Sequence, residues 1–241
     1  MNRCRTSAAV LLLVSGTIAP LLWAQPAQQA APTHAANAAV QQAVTQQPPR
    51  RTLTTRDALQ MYRDGKYQDA VDETLAEIQA TPGNLDSYVV LGWSLLALGR
   101  YQDAVNWATK ALGLAPQDER VIEILGEANY RLGNDQDALK YFQQYVRISG
   151  GVPDRLIHYV YYFMGEIYLR MNDLNKADIA LSTALHFQPD NLVYWVRLGY
   201  VREKERDYAG ALSAYTHALA LNPSYQEAIA GKARVEPLVG G

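Results

Sequence analysis

Between Leu85 and Leu112 the apolar residues fall at helical spacing, as Leu85, Tyr88, Leu91, Gly92 and Leu95, then Val105, Ala108 and Leu112. Residues spaced in this way share one stripe of a helix. The stripe breaks at Gly99-Arg100 and again at Pro116, so the unit reads as two short helices joined by a tight turn. The unit recurs. Gly65-Lys66-Tyr67-Gln68-Asp69-Ala70-Val71 returns 34 residues later, almost unchanged, as Gly99-Arg100-Tyr101-Gln102-Asp103-Ala104-Val105. Its alanine continues as Ala138, Ala177 and Ala211, in steps of 34, 34, 39 and 34 from Ala70. Gly92, Gly126, Gly165 and Gly199 keep the same step, and so do Pro82, Pro116, Pro189 and Pro223, with Gly150 where a proline is due. Both steps of 39 locate one five-residue insertion between Ile148 and Leu156. There Gly150, Gly151 and Pro153 end one helix and Asp154 is placed to cap the next, which is expected to begin about a turn early.

Each column has a physical task. Small residues at Gly92 and Ala104 let paired helices approach closely, and Asn84, Asp118 and Asn191 stand where their side chains can cap the first helix of each pair. A single pair cannot bury its apolar face, so neighbours must stack into a curved solenoid. The first unit departs from the pattern at Thr54, Asp57 and Ala58 and is expected to be a degenerate cap. Asn129 and Arg202 replace aromatics and should weaken packing unless they reach solvent or a partner.

These columns resemble the tetratricopeptide repeat, a 34-residue unit with aromatic, Leu-Gly, aromatic, Ala, Phe, Ala and Pro positions. The last unit carries them as Trp195, Leu198, Gly199, Tyr208, Ala211, Tyr215, Ala218 and Pro223. The second has Tyr88, Leu91, Gly92, Gly99, Tyr101, Ala104, Ala111 and Pro116, and the fourth Tyr161, Met164, Gly165, Tyr168, Ala177, Ala184 and Pro189. The resemblance implies an all-α, right-handed solenoid of about five helix-turn-helix repeats, at about 52–83, 84–117, 118–151, 157–190 and 191–224. A final helix, capped by Ser224 and running to about Glu236, closes the 52–241 domain.

The N-terminal residues change the picture. Arg3 and Arg5 precede an apolar run from Ala8 to Trp23 that ends at Ala24, the order of a cleavable signal peptide over 1–24. The run is shorter than the roughly 20 apolar residues of a membrane span, so retention as a membrane anchor is the lesser reading. Residues 25–51 are Gln, Ala and Pro with hardly a charge and read as a flexible linker. Cleavage would remove Cys4, the only cysteine, and move the formal charge from −2 to −4 by taking away two arginines. A mildly acidic, thiol-free product is a poor binder of nucleic acid and excludes disulfides and thiolate chemistry. The expected location is secreted or periplasmic.

Catalytic chemistry is hard to find. His34, His158, His186 and His217 are scattered, and zinc, phosphate-loop and nucleophile-elbow motifs are missing, so neither enzyme activity nor a metal or cofactor is expected. Asp173, Asp178, Glu203 and Glu205 read as a solvated face. The resemblance implies that the first helix of each pair lines a concave groove. Helical spacing then presents Val89 and Trp93; Glu123, Glu127, Tyr130 and Arg131; Tyr159, Tyr162, Glu166 and Arg170; and Arg197, Tyr200 and Lys204. Rings flanked by both charge signs suit a peptide or protein partner. The family's carboxylate clamp uses asparagine and lysine where this chain has Trp93, Glu127, Glu166 and Tyr200, so Glu127 and Glu166 favour a basic or amine-bearing ligand instead. The expected function is an exported adaptor in envelope assembly or transport; the alternative is a small-molecule-binding component of a periplasmic transport system.

Overall fold

A computed structural model of the chain describes residues 54–150 and 156–240. The expected signal peptide and linker, and the expected cap Asp154, lie outside the described residues. Within them the chain forms α1 (Thr55–Arg63), α2 (Tyr67–Ala80), α3 (Leu85–Ala97), α4 (Tyr101–Leu114), α5 (Glu119–Leu132), α6 (Asp135–Ser149), α7 (Ile157–Arg170), α8 (Leu174–Phe187), α9 (Leu192–Glu205), α10 (Tyr208–Leu221) and α11 (Gln226–Val235). A short 3₁₀ turn, Glu236–Leu238, follows. The helices pair in order as five antiparallel units, with α11 closing the stack.

The turn inside each pair rests on one backbone position. Gly65, Gly99 and Gly133 all have φ between 72° and 79°, where a β-carbon is unfavourable. Asn172 and Arg206 hold the equivalent places at 59° and 65°. Between pairs, the first aromatic of the repeat fastens the proline turn: Tyr88 Oη donates to the Pro82 carbonyl at 3.0 Å, and Trp195 Nε1 to that of Pro189 at 2.7 Å.

The glycine column sits at tight contacts. A β-carbon at Gly126 would lie 2.4 Å from Phe142 on the partner helix, one at Gly165 2.7 Å from Leu181, and one at Gly199 2.8 Å from Tyr215. Gly92 differs. Its pair partner offers only Ala108, and the close neighbour is Ile124 of the next pair, at 2.8 Å. The glycine there admits the next unit rather than its own partner helix.

Several capping expectations need correction. Asp118 and Asn191 do cap, accepting from Arg120 and Val121 and from Val193 and Tyr194. Asn84 instead donates to Thr55 Oγ1 and Glu77 Oε1, both at 2.9 Å, which ties α1 and α2 to the start of α3. Ser224 does not cap α11, because its amide and hydroxyl both go to Asn222 Oδ1. Helix α7 starts at Ile157, one residue ahead of its repeat position and not a full turn. Asn129 is buried, yet its amide donates to the Leu125 carbonyl and its oxygen accepts from Asn134, so no polar group is stranded. Arg202 pairs with Asp178 at 2.7 Å, and Glu203 with Arg234 at 2.8 Å, so these acids are cross-helix partners rather than a merely solvated face.

Curvature follows from which helices touch. First helices meet across units, α1 with α3, α3 with α5 and α5 with α7, and α9 meets α11. Neighbouring second helices do not pack on one another to a comparable extent among the described residues. The layer whose members approach is the inside of the bend, which makes the first helices the concave face.

Two substitutions test these seams. Gly126→Ala should cost about 1–3 kcal/mol, because Phe142 has to move. Arg206→Gly should gain about 0.5–1 kcal/mol by relieving the left-handed position. Denaturant melts of both variants check the two signs, and a stable Gly126→Ala would show the seam to be loose.

Candidate functional site: the concave groove

The residues expected to line the groove form a connected row. Trp93 on α3 is half-buried, with its ring 6.0 Å from Tyr62 of α1, which in turn lies 5.6 Å from Tyr67. On α5, Glu127 is bound by Arg131 one turn along at 3.0 Å. Tyr130 packs 4.8 Å from Phe163 of α7 and lies beneath the Arg170 guanidinium at 4.3 Å, a cation over a ring face. Arg170 also pairs with Asp135. Tyr162 stacks on Tyr194 of α9 at 4.8 Å, and Tyr159, 48% exposed, lies 4.4 Å from His158, whose Nδ1 is 2.9 Å from Tyr194 Oη. Glu166 receives both Nε and an Nη of Arg197 at 2.6 Å. Arg197 and Lys204 flank Tyr200 at 5.5 and 5.3 Å.

Two residues expected on the groove surface are not there. Val89 is 1% exposed and belongs to the core shared with Leu125, because α3 and α5 approach closely at this level. Glu123 is 9% exposed. Tyr62 is the ring that the sequence reading missed, since the first helix of its unit departs from the repeat at Thr54, Asp57 and Ala58. The signal was available, because Tyr62 stands 68 residues before Tyr130, two repeat lengths away in the same register.

Electrostatics divide the groove's acids. Asp86, Glu127, Glu166 and Glu203 each have an arginine at ion-pair distance. Glu123 has none among the described residues. Its one hydrogen bond comes from Trp93 Nε1 at 3.4 Å, near the limit of such a contact. Burial, and then the neighbouring Glu127, push its carboxyl up to about 8. Burial followed by Glu166 pushes the Tyr162 hydroxyl up to about 12, so it remains a neutral donor. No group of three or more histidine, cysteine or acidic side chains is arranged to hold a metal among the described residues.

The raised Glu123 carboxyl makes stability depend on pH. From the ordinary glutamate range near 4.5 up to about 8, the folded chain keeps a proton that the unfolded chain releases. Its contribution is therefore complete at low pH and is lost as pH rises through that window. Glu123→Gln should melt progressively higher than the wild type between about pH 5 and about pH 8, with a constant margin above. Parallel thermal melts whose difference stayed flat across that range would show Glu123 to be an ordinary surface acid.

Comparisons with known proteins agree with this architecture. A model described as tetratricopeptide repeat matches residues 158–191 and 192–225. A model described as bacterial transcriptional activator domain matches residues 30–150. No curated protein matches the sequence. Among solved structures, MamA from Desulfovibrio magneticus RS-1 is 22% identical with a TM-score of 0.63, over 70% of this chain and 94% of that one. The structure titled for Pseudomonas aeruginosa PilF is 16% identical with a TM-score of 0.67, over 76% and 82%. YrrB, titled a TPR protein with an unusual peptide-binding site, is 16% identical with a TM-score of 0.61, over 74% and 89%. At these identities the likeness concerns the fold alone. With its two matched repeats, the 34-residue register that runs through the units before them and the stacked helix pairs, the chain belongs to the tetratricopeptide-repeat family, its N-terminal half also falling within the bacterial transcriptional activator domain family.

Proposed function

We propose that the chain is an exported adaptor that holds a segment of a partner protein along its concave groove. The observation that carries this reading is the continuous row from Tyr62 to Tyr200, in which rings and charges of both signs bridge successive first helices. Rings supply contact area at small entropic cost, and paired charges set direction and register without leaving a buried ion uncompensated. Export is supported by the basic, apolar and small-residue order of residues 1–24. The unusual peptide-binding site of YrrB supports the groove by analogy of fold.

The small-molecule alternative has less behind it. Two open hollows, of about 470 Å³ beside Glu203, Arg206 and Arg234 and about 740 Å³ beside Asn172, Leu174 and Glu205, lie at the C-terminal side of the stack and are not enclosed. Neither is lined by the central rings of the groove. A site meant to surround a small organic molecule is normally concave and largely closed.

Affinity capture from envelope extracts with the chain beginning at Gln25, followed by binding measurements on the captured protein, tests the assignment. Trp93→Ala and Tyr162→Ala should each weaken binding by about 2 kcal/mol, roughly thirtyfold, at unchanged helical content. Unaltered affinity in both would move the interface off the groove, and lost helicity would mean that packing residues had been taken for contacts. N-terminal sequencing of the exported protein should read from Gln25. An intact Met1 would overturn cleavage.

A further inference from the structure

The same register places Val89, Glu123, Tyr162 and Val196 at one level of α3, α5, α7 and α9. Two of the four are valines and all four are largely covered, so packing alone asks for an apolar side chain there. Glu123, only 9% exposed, instead places a carboxyl there, with one oxygen on a marginal 3.4 Å contact from Trp93 and no donor on the other among the described residues. Leaving a carboxyl in this state is costly unless a partner completes it. Asp86, Glu127, Glu166 and Glu203 each already have an arginine.

Resting on the groove reading above, we infer that Glu123, Trp93 and Tyr62 form a pocket for one lysine or arginine side chain of the bound partner, with Glu123 as counter-ion. The cation approaches along the groove and displaces the Trp93 N–H from the carboxyl. The two rings, packed against each other at 6.0 Å, then form one wall for the aliphatic stem and the charge. Glu127, one turn along, adds attraction, although Arg131 holds it. The charged surroundings are otherwise balanced. Asp86 of α3 is taken by Arg120, Tyr101 of α4 lies toward Arg131, Asp135 of α6 is taken by Arg170, and α7 presents the neutral Tyr162 and the paired Glu166. An incoming cation therefore meets one carboxyl that must ionise to receive it.

Ionisation gives the pocket a signature that a merely structural glutamate lacks. The proton leaves Glu123 for solvent as the cation arrives, so below about 8 each bound cation releases up to one proton. The probe is an immobilised library of terminally blocked decapeptides bearing lysine, arginine, norleucine or glutamate at one fixed position. Peptides it selects are then titrated calorimetrically in two buffers of different ionisation enthalpy. The wild-type chain should prefer lysine or arginine to norleucine by about tenfold near pH 9, lose that preference near pH 6 and release roughly half a proton per peptide near pH 7. Glu123→Gln should keep its helical content and abolish both preference and proton release. Should it unfold, Glu123→Val, which installs the residue of Val89 and Val196, serves in its place. Equal binding of lysine and norleucine peptides, binding without proton release, or a preference surviving the substitution would each overturn the pocket. A library that retains no chain would do so as well. The groove itself is judged separately, by the Trp93→Ala and Tyr162→Ala measurements on the captured partner.

Discussion

At Gly126 the backbone of α5 runs so close to α6 that an added β-carbon would lie 2.4 Å from the Phe142 ring, and the equivalent glycines of α7 and α9 meet Leu181 and Tyr215 nearly as closely. This approach of a bare backbone to a large side chain is the constraint on which the rest depends. It brings the helices of a pair together, lets one ring fill the seam, and leaves the outer flank of the first helix free for its neighbour. Interiors packed to crystalline density transmit such a constraint, since no slack absorbs it. Where the partner helix supplies only Ala108, the next unit's Ile124 moves into the space beside Gly92. The seam is filled either way, so the column persists while its neighbour changes.

Because first helices approach across units and second helices do not, residues that the repeat does not need for packing gather on the inner face. Their interactions run between units: Arg170 over Tyr130, Tyr162 on Tyr194, Arg197 on Glu166. At the level of α7 and α9 these rings and ions span helices that do not interlock as tightly as α3 and α5. The groove thus contributes to the stack that displays it. The arginine pairs are partly exposed and each contributes little to stability, but they hold charge of both signs in fixed places, which favours selectivity over raw affinity.

Most of the fold was legible because a repeat states each position several times. The alanine, glycine and proline columns carry the register and the helix pairs, and the observed helix bounds, the start of α7 excepted, fall where those columns place them. The errors arose where one side chain had two possible partners. Asn84 was expected to cap α3, but Thr55 and Glu77 lie nearer from other helices. Spacing along one helix also cannot report how closely the next helix approaches. Val89 and Glu123 share a face with Trp93 in projection, yet the neighbouring helix covers them. Tyr62 lies on the one first helix where Thr54, Asp57 and Ala58 replace the aromatic, leucine and glycine of the repeat, so its register there is read only from the second helix of the unit.

Glu123 shows why seam and surface are best treated as separate constraints on one helix. A residue at its level serves the stack when it is apolar and serves a ligand when it is polar, and the valines at 89 and 196 show that the stack accepts the first solution. Keeping a carboxyl there lowers stability at neutral and alkaline pH, since burial and Glu127 both resist its ionisation. Local choices that oppose the fold, in a chain whose other choices support it, mark positions held by something other than folding. The disfavoured ionisation is also what makes the position discriminating. A neutral or acidic side chain arriving at Glu123 gains nothing that offsets the lost indole contact, whereas a cation gains a carboxylate in a site with little water to screen it.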